Sequence, residues 1–119
     1  ISRAVSVASD TERPAAERAA ALVEAGRAAL VTLRKPRLAA HHAEWAHRIA
    51  PSDPAVVTLA IDALTPIRGF ARLESLLWIS LDSSEGQARA RVLDALADLY
   101  DGPMRRPERA RALRRLAAP

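Results

Sequence analysis

All three histidines of the chain lie between residues 41 and 47, in the stretch HHAEWAH. Glu44 and His47 have the Glu-x-x-His spacing with which some helical bundles bind metal ions. On a helix, however, His41 and His47 are about 9 Å apart along the axis, whereas a metal ion holds each ligand at about 2 Å. A di-iron bundle also needs a second Glu-x-x-His, which the sequence lacks. We therefore predict no metal site and no cofactor, with His42 partly buried and the other two histidines on the surface.

Other residue types that commonly take part in catalysis do not occur in known catalytic patterns. The chain has no cysteine and only four glycines, so the sequence contains neither a thiolate site nor a glycine-rich phosphate loop. No serine has the Gly-x-Ser-x-Gly surroundings of an esterase nucleophile. Asp94 and Asp98 have i, i+4 spacing, which is also usual on an exposed helix face. We predict that the chain is not an enzyme.

The elements that position these residues are predicted to be helices, and the fold class is predicted to be all-α. Prolines and short polar stretches divide the chain, and the residues between them are mostly strong helix formers. Asp53 before Pro54 is a natural N-cap, and Ser83 or Ser84 can cap a helix that opens at Glu85. The predicted helices lie near residues 12–33, 36–50, 54–64, 70–81, 85–100 and 107–117.

Short connections between these helices favour antiparallel neighbours, which means stacked helical hairpins or a bundle. Segments beginning near residues 20, 54 and 87 are about 34 residues apart, a spacing typical of two-helix repeats. We therefore expect about three stacked antiparallel helical hairpins that form a short solenoid.

The stretch LAAHHAEWAHRIAPSDP resembles the second helix of a tetratricopeptide repeat running into the next repeat. In that family, this helix carries small residues that allow close packing, and it ends at a proline. Aligning that proline with Pro51 places Ala39, Ala43 and Ala46 on the second-helix positions. Three departures from the family pattern are present. Ala43 stands where a larger aromatic residue is usual, Gly26 lies one residue from the family's glycine, and the stretch LTPIRG ends its helix early. The resemblance extends over roughly residues 20–119 and is strongest in its first unit.

This resemblance implies an N-terminal extension at residues 1–11 and a tetratricopeptide-like domain at 12–119. It also implies a non-catalytic scaffold or co-chaperone that binds a peptide or partner domain in a concave groove lined by the first helices, with exposed Arg27 and Asp62. The end of the chain, EGQARARVLDALADLYDG followed by ERARALRRLA, resembles the closing helices of the repeat region in thioredoxin-fused co-chaperones. No Cys-x-x-Cys is present, so a redox role is not implied.

The segment FARLESLLWISL, residues 70–81, is the most apolar of the chain. Its apolar side chains cover most of a helix circumference, so it is either packed on two sides or covered by a partner. Internal packing is the favoured interpretation. Partner binding or self-association through this segment, with Phe70 and Trp78, is the alternative.

Positive charge is concentrated at the end of the chain. Residues 1–101 hold 12 Arg and Lys against 13 Asp and Glu, whereas residues 102–119 hold six Arg and one Glu. A polyanion such as nucleic acid, or another acidic surface, is the alternative partner for this tail. No aromatic residue lies among the arginines to stack on bases, so a solvated capping helix is favoured. The arginines concerned are Arg105, Arg106, Arg109, Arg111, Arg114 and Arg115.

The sequence has no run of about 18 apolar residues that would predict a membrane-spanning helix. We therefore expect a soluble protein of the cytoplasm, with the periplasm as an alternative compartment. The chain begins at Ile1 rather than at methionine, which predicts a processed or excised piece of a longer protein.

Overall fold

The computed structural model describes residues 2–118, with the backbone alone at Ser2. Within this range the chain is helical and contains no strands, which confirms the all-α fold class. A five-residue π-helical segment, Ala28–Thr32, directly follows α2. The α-helices are α1 (Ser2–Ser9), α2 (Ala15–Arg27), α3 (Pro36–Ile49), α4 (Pro54–Leu64), α5 (Phe70–Ser83), α6 (Gly86–Asp101) and α7 (Pro107–Ala117).

The helices form two compact units, which divide between Gly69 and Phe70. In the first unit α1 packs against α2, and the helices α2, α3 and α4 each contact the other two. In the second unit α6 contacts both α5 and α7. The division follows a tight turn after α4, in which Arg68 has a φ of 57° and the Gly69 N–H donates to the Leu64 carbonyl.

Small residues bring the helices of the first unit close together. Ala39, Ala43 and Ala46 of α3 have no exposed surface, which confirms the predicted alanine face. Because an alanine side chain ends at Cβ, such a face lets neighbouring backbones approach closely. One core cluster of this unit consists of Ala8, Ala19, Leu22, Ala46 and Val56.

The crossing of α2 and α4 depends on a glycine. A Cβ atom added to Gly26 would lie 2.5 Å from Cδ2 of Leu59, which is fully buried. Real Cβ contacts are essentially never that short, so the packed side chain of Leu59 would have to move. Gly26 therefore allows α4 to approach α2 at this position.

The helix α1 was not predicted from the sequence, and it lies in the segment predicted as an N-terminal extension. Eight residues are too few to show a clear helical period or to form a stable isolated helix. Tertiary contacts stabilise it instead. Ala8 is fully buried, and Nε of Arg18 donates to the Ala8 carbonyl at 2.8 Å.

Most predicted helix ends agree with the structure within two residues, although α2 begins only after Pro14. Oδ1 of Asp53 accepts from the Ala55 N–H at 2.9 Å, so the predicted N-cap of α4 is confirmed. The predicted serine cap of α6 is wrong. Ser83 belongs to α5 and its hydroxyl donates to the Ile79 carbonyl, while Glu85 precedes α6 without a side-chain cap.

Three arginines adopt left-handed backbone conformations just after helical segments. Arg34, Arg68 and Arg105 have φ values between 53° and 57°. The left-handed region costs a residue with a side chain about 1–2 kcal/mol, whereas glycine adopts it readily. These turns therefore carry conformational strain that the rest of the structure offsets.

We expect Arg105→Gly to raise the free energy of unfolding by about 0.5–1 kcal/mol, because glycine removes the left-handed strain. Arg91→Gly is the matched control, since Arg91 is an exposed residue within α6 and the change removes the same charge. There glycine lowers stability by about 1 kcal/mol. Urea unfolding of the intact chain measures both values. A loss of stability in both variants would contradict the strain argument.

We expect Ala46→Leu to lower the free energy of unfolding by about 1–3 kcal/mol, because the added carbon atoms overpack a fully buried helix contact. Ala16→Leu is the control, since Ala16 is exposed on α2. It changes stability by about 0.5 kcal/mol or less. Thermal unfolding followed by circular dichroism compares the two variants, and equal melting temperatures would show that the alanine face is not tightly packed.

Candidate partner-binding surfaces

The structure brings together the two residues predicted to line a groove. Nη1 of Arg27, in the last turn of α2, lies 2.7 Å from Oδ2 of Asp62 on α4. Both side chains are partly exposed, so the ion pair stabilises the fold by only about 0.2–1 kcal/mol. The pair marks a surface where α2 and α4 meet and present one positive and one negative group.

Helix α5 has one buried face and one exposed apolar site. Leu73, Leu76, Leu77 and Leu81 are buried in the second unit, which agrees with the favoured interpretation of internal packing. On the other side, Trp78 is 44% exposed and Ile79 is 55% exposed. The helix is therefore not covered all round by its own unit.

Phe70 and Trp78, the two predicted contact residues of α5, do not form one site. Phe70 is partly buried at the first residue of the helix. Eight residues separate it from Trp78, which is about 12 Å along a helix axis. The exposed neighbour of Trp78 is Ile79, which belongs to the apolar segment but was not predicted as a contact residue.

A polar network joins the three helices of the second unit at Tyr100. Nε1 of Trp78 donates to the Tyr100 hydroxyl at 2.9 Å, and that hydroxyl donates to Oε2 of Glu74 at 2.5 Å. The guanidinium of Arg109 lies over the Tyr100 ring, 5.6 Å from its centre. Tyr100 lies 22 residues after Trp78 and 26 residues after Glu74, and only packing of α5, α6 and α7 brings the network together. One partner of the exposed Trp78 is therefore a buried tyrosine.

The arginines at the end of the chain are all exposed, but some already contact groups of α6. Arg114 forms ion pairs with Asp98 at 2.9 Å and with Asp101 at 3.4 Å. Arg109 stacks on Tyr100, as described above. Carboxylates therefore lie beside the basic side chains, and they reduce the positive potential that a polyanion would meet. Arg105, Arg106, Arg111 and Arg115 complete the basic set.

The histidines of α3 differ in part from the prediction. His41 is exposed as expected, and His42 is more deeply buried than expected, at 3% exposure. His47 was predicted on the surface, and this is wrong because it is only 6% exposed. Helix α3 contacts both α2 and α4, so its buried surface is wider than the alanine face alone.

Among the described residues, no group of three His, Asp or Glu side chains lies close enough together to hold a metal ion. In the same part of the chain, no helix has the length and apolar character that a bilayer crossing requires. Comparison of the chain with protein-family models, with curated proteins and with solved structures gave no match.

The polar network of Trp78, Tyr100 and Glu74 can be detected through the pKa of Tyr100. Burial and then the hydrogen bond to Glu74 raise the pKa of Tyr100 above its usual value of 10.0. Because the folded pKa exceeds the unfolded one, this group contributes stability that is present below pH 10 and is lost as the pH rises through the folded pKa. Tyr100 is the only tyrosine, so phenolate absorbance reports it alone.

We expect a phenolate titration of the native chain with a midpoint above pH 10, returning to about pH 10 in concentrated urea. Glu74→Gln removes the carboxylate that accepts from Tyr100, so the native midpoint falls toward the usual value. Asp82→Asn, on the exposed surface of α5, serves as a control and leaves the midpoint unchanged. A native midpoint of about pH 10 would show that the hydroxyl is open to solvent.

Proposed function

We propose that this chain is a non-catalytic protein-interaction module in which the hairpins pack as in tetratricopeptide repeats. The packing of α2, α3 and α4 supports this proposal. α2 and α3 form a hairpin, α4 follows after a short connection, and α2 contacts α4 as well as α3. In a tetratricopeptide-like stack, first helices of consecutive hairpins lie side by side and line the groove. α2 and α4 take those two places.

One feature of this packing agrees with the family pattern, and one departs from it. The alanine face of α3 is fully buried, as expected for a second helix. Gly26 of α2 lies one residue from the position of the family's glycine, and it still allows α2 to approach Leu59 of α4 closely. The continuation of the stack through the later helices, as three hairpins of one solenoid, is part of the proposal.

The ion pair between Arg27 and Asp62 carries the proposal of a peptide as partner. The two side chains lie on neighbouring first helices and remain partly exposed. An exposed ion pair contributes little to stability. Each of its groups can therefore pair with a charged group of a ligand instead, at little cost in folding free energy. A peptide that presents a carboxylate to Arg27 and an ammonium group to Asp62 fits this arrangement.

The alternative function is binding of nucleic acid or another acidic surface through the helix α7 and the turn before it. The exposure of Arg105, Arg106 and Arg111 favours it. The pairing of Arg114 with Asp98 and Asp101 opposes it, because acidic groups lie beside the basic ones. Self-association through Trp78 and Ile79 is compatible with both functions.

A charge-swap variant tests the groove. In Arg27→Asp with Asp62→Arg, the two groups still pair across α2 and α4, but their order is reversed. We expect the swap to leave the melting temperature within a few degrees and to reduce capture of partner proteins by immobilised intact chain at least tenfold. That factor corresponds to about 1.4 kcal/mol of binding free energy. Equal capture by wild type and swap would reject the groove as the binding surface.

The same capture experiment separates the two functions when a second variant is included. Arg105→Gln, Arg106→Gln and Arg109→Gln together remove basic groups while keeping helix propensity. We expect this triple variant to keep the partner proteins that the charge swap loses. Duplex DNA should bind wild type weakly, with a steep fall in affinity as salt rises. Tight binding of one nucleic acid sequence, lost in the folded triple variant, would favour the alternative.

A further inference from the structure

The first unit contains a cleft of about 640 Å³ that is distinct from the groove between α2 and α4. Residues of α1, α2, the π-helical segment and α3 line it. This volume lies within the range of about 300–1,000 Å³ that is typical of small-molecule sites. The lining is rich in apolar side chains, most of them alanine, which include Ala20, Ala21, Ala25, Ala28, Leu33 and Leu38.

His42 lines this cleft and is the polar side chain buried in its wall. Its Nδ1 and Nε2 atoms are both shielded from solvent, and neither has a hydrogen-bond partner among the described residues. Buried polar groups in folded proteins are nearly always hydrogen-bonded, so an unpartnered imidazole requires an explanation. Burial, and then the neighbouring His41, lower the pKa of His42, which favours the neutral ring. A neutral imidazole has one N–H donor and one bare nitrogen acceptor.

The backbone beside the cleft is unusual as well. Ala28 and Ala29 belong both to the cleft lining and to the π-helical segment. The Leu33 N–H donates to the Ala28 carbonyl at 3.0 Å, which is the wide i to i+5 hydrogen bond of a π-helix. Such segments are rare, less favourable than α-helix, and frequent at functional sites. The wide turn and the unpartnered histidine are independent observations at the same cleft.

The charges at the cleft favour neither a cationic nor an anionic ligand. Arg3, Arg13, Glu17 and Glu24 also line it, which makes two cations and two carboxylates. Arg13 is already paired with Glu17 at 2.7 Å and with Asp10 at 3.4 Å. A neutral imidazole in the wall does not compensate the charge of a buried carboxylate or ammonium group. The lining is thus suited to an uncharged molecule with one hydrogen-bonding group.

We propose that this cleft binds a small neutral phenol, with its ring against the alanines of α2 and its hydroxyl donating to the bare ring nitrogen of His42. A flat ring fits against side chains that end at Cβ, and a phenolic hydroxyl is a good donor to an imidazole acceptor. Both ring nitrogens are shielded from solvent, so binding requires the imidazole to turn about its terminal torsion, which is soft, until one nitrogen faces the cleft. This site is separate from the proposed peptide groove and stands without it.

The test uses para-cresol and toluene, two probes that differ only in the hydroxyl group. The intact chain is titrated with each, and chemical shifts of the backbone amides and of the His42 ring are followed by NMR. We expect both probes to perturb Ala21, Ala25 and Leu38, and para-cresol to bind about fivefold tighter than toluene, as one net hydrogen bond allows. Only para-cresol shifts the His42 ring nitrogens strongly.

Two variants keep this test decisive. His42→Leu removes the acceptor and also the unpartnered nitrogens, so we expect it to stay folded and to bind para-cresol no better than toluene. Arg48→Leu changes an exposed residue of α3 that does not line the cleft, and it leaves both affinities unchanged. Equal affinity of the two probes for wild type, an unchanged preference in His42→Leu, or perturbations confined to residues outside the cleft would each overturn the proposal. Absence of binding up to the solubility limit of para-cresol would do so as well.

Discussion

The first unit depends on how closely α2, α3 and α4 approach one another. Alanines on α3 and a glycine on α2 occupy the contact positions, so the backbones lie nearer than larger side chains would permit. Two consequences follow from this single constraint. α3 is enclosed from two sides, which buries His42 and His47, and α2 lies against α4, which joins Arg27 to Asp62. The polar features of the unit are therefore results of its apolar packing.

The second unit relies more on polar contacts. A buried tyrosine links the exposed face of α5 to α6, and an arginine of α7 stacks on its ring. Another arginine of α7 pairs with two aspartates of α6. The positive end of the chain is thus partly neutralised by the acidic helix on which it packs. This arrangement favours a structural role for Arg109 and Arg114 and leaves the other arginines as the candidates for contact with an acidic partner.

Two energetically unfavourable features of the first unit lie close together. The unpartnered imidazole of His42 and the π-helical segment after α2 both border the same cleft. Many other features of this unit follow the usual rules, such as its apolar core and the Asp53 cap of α4, although Arg34 and Arg68 adopt left-handed conformations in turns. Local departures from those rules tend to occur where a protein binds something. α2 contributes to both proposed sites, with alanines toward the cleft and Arg27 toward α4.

The sequence by itself determined the helices from α2 onward, because proline positions, the Asp53 cap and helical periodicity are local properties. It also determined that the alanines of α3 are buried, since their spacing places them on one helix face. Only the tertiary structure decided that Ser2–Ser9 is a helix, that His47 is buried, and that Trp78, Tyr100 and Glu74 form a network. Those features arise from contacts between residues far apart in the chain, and a burial pattern along one helix does not specify which neighbours will cover it.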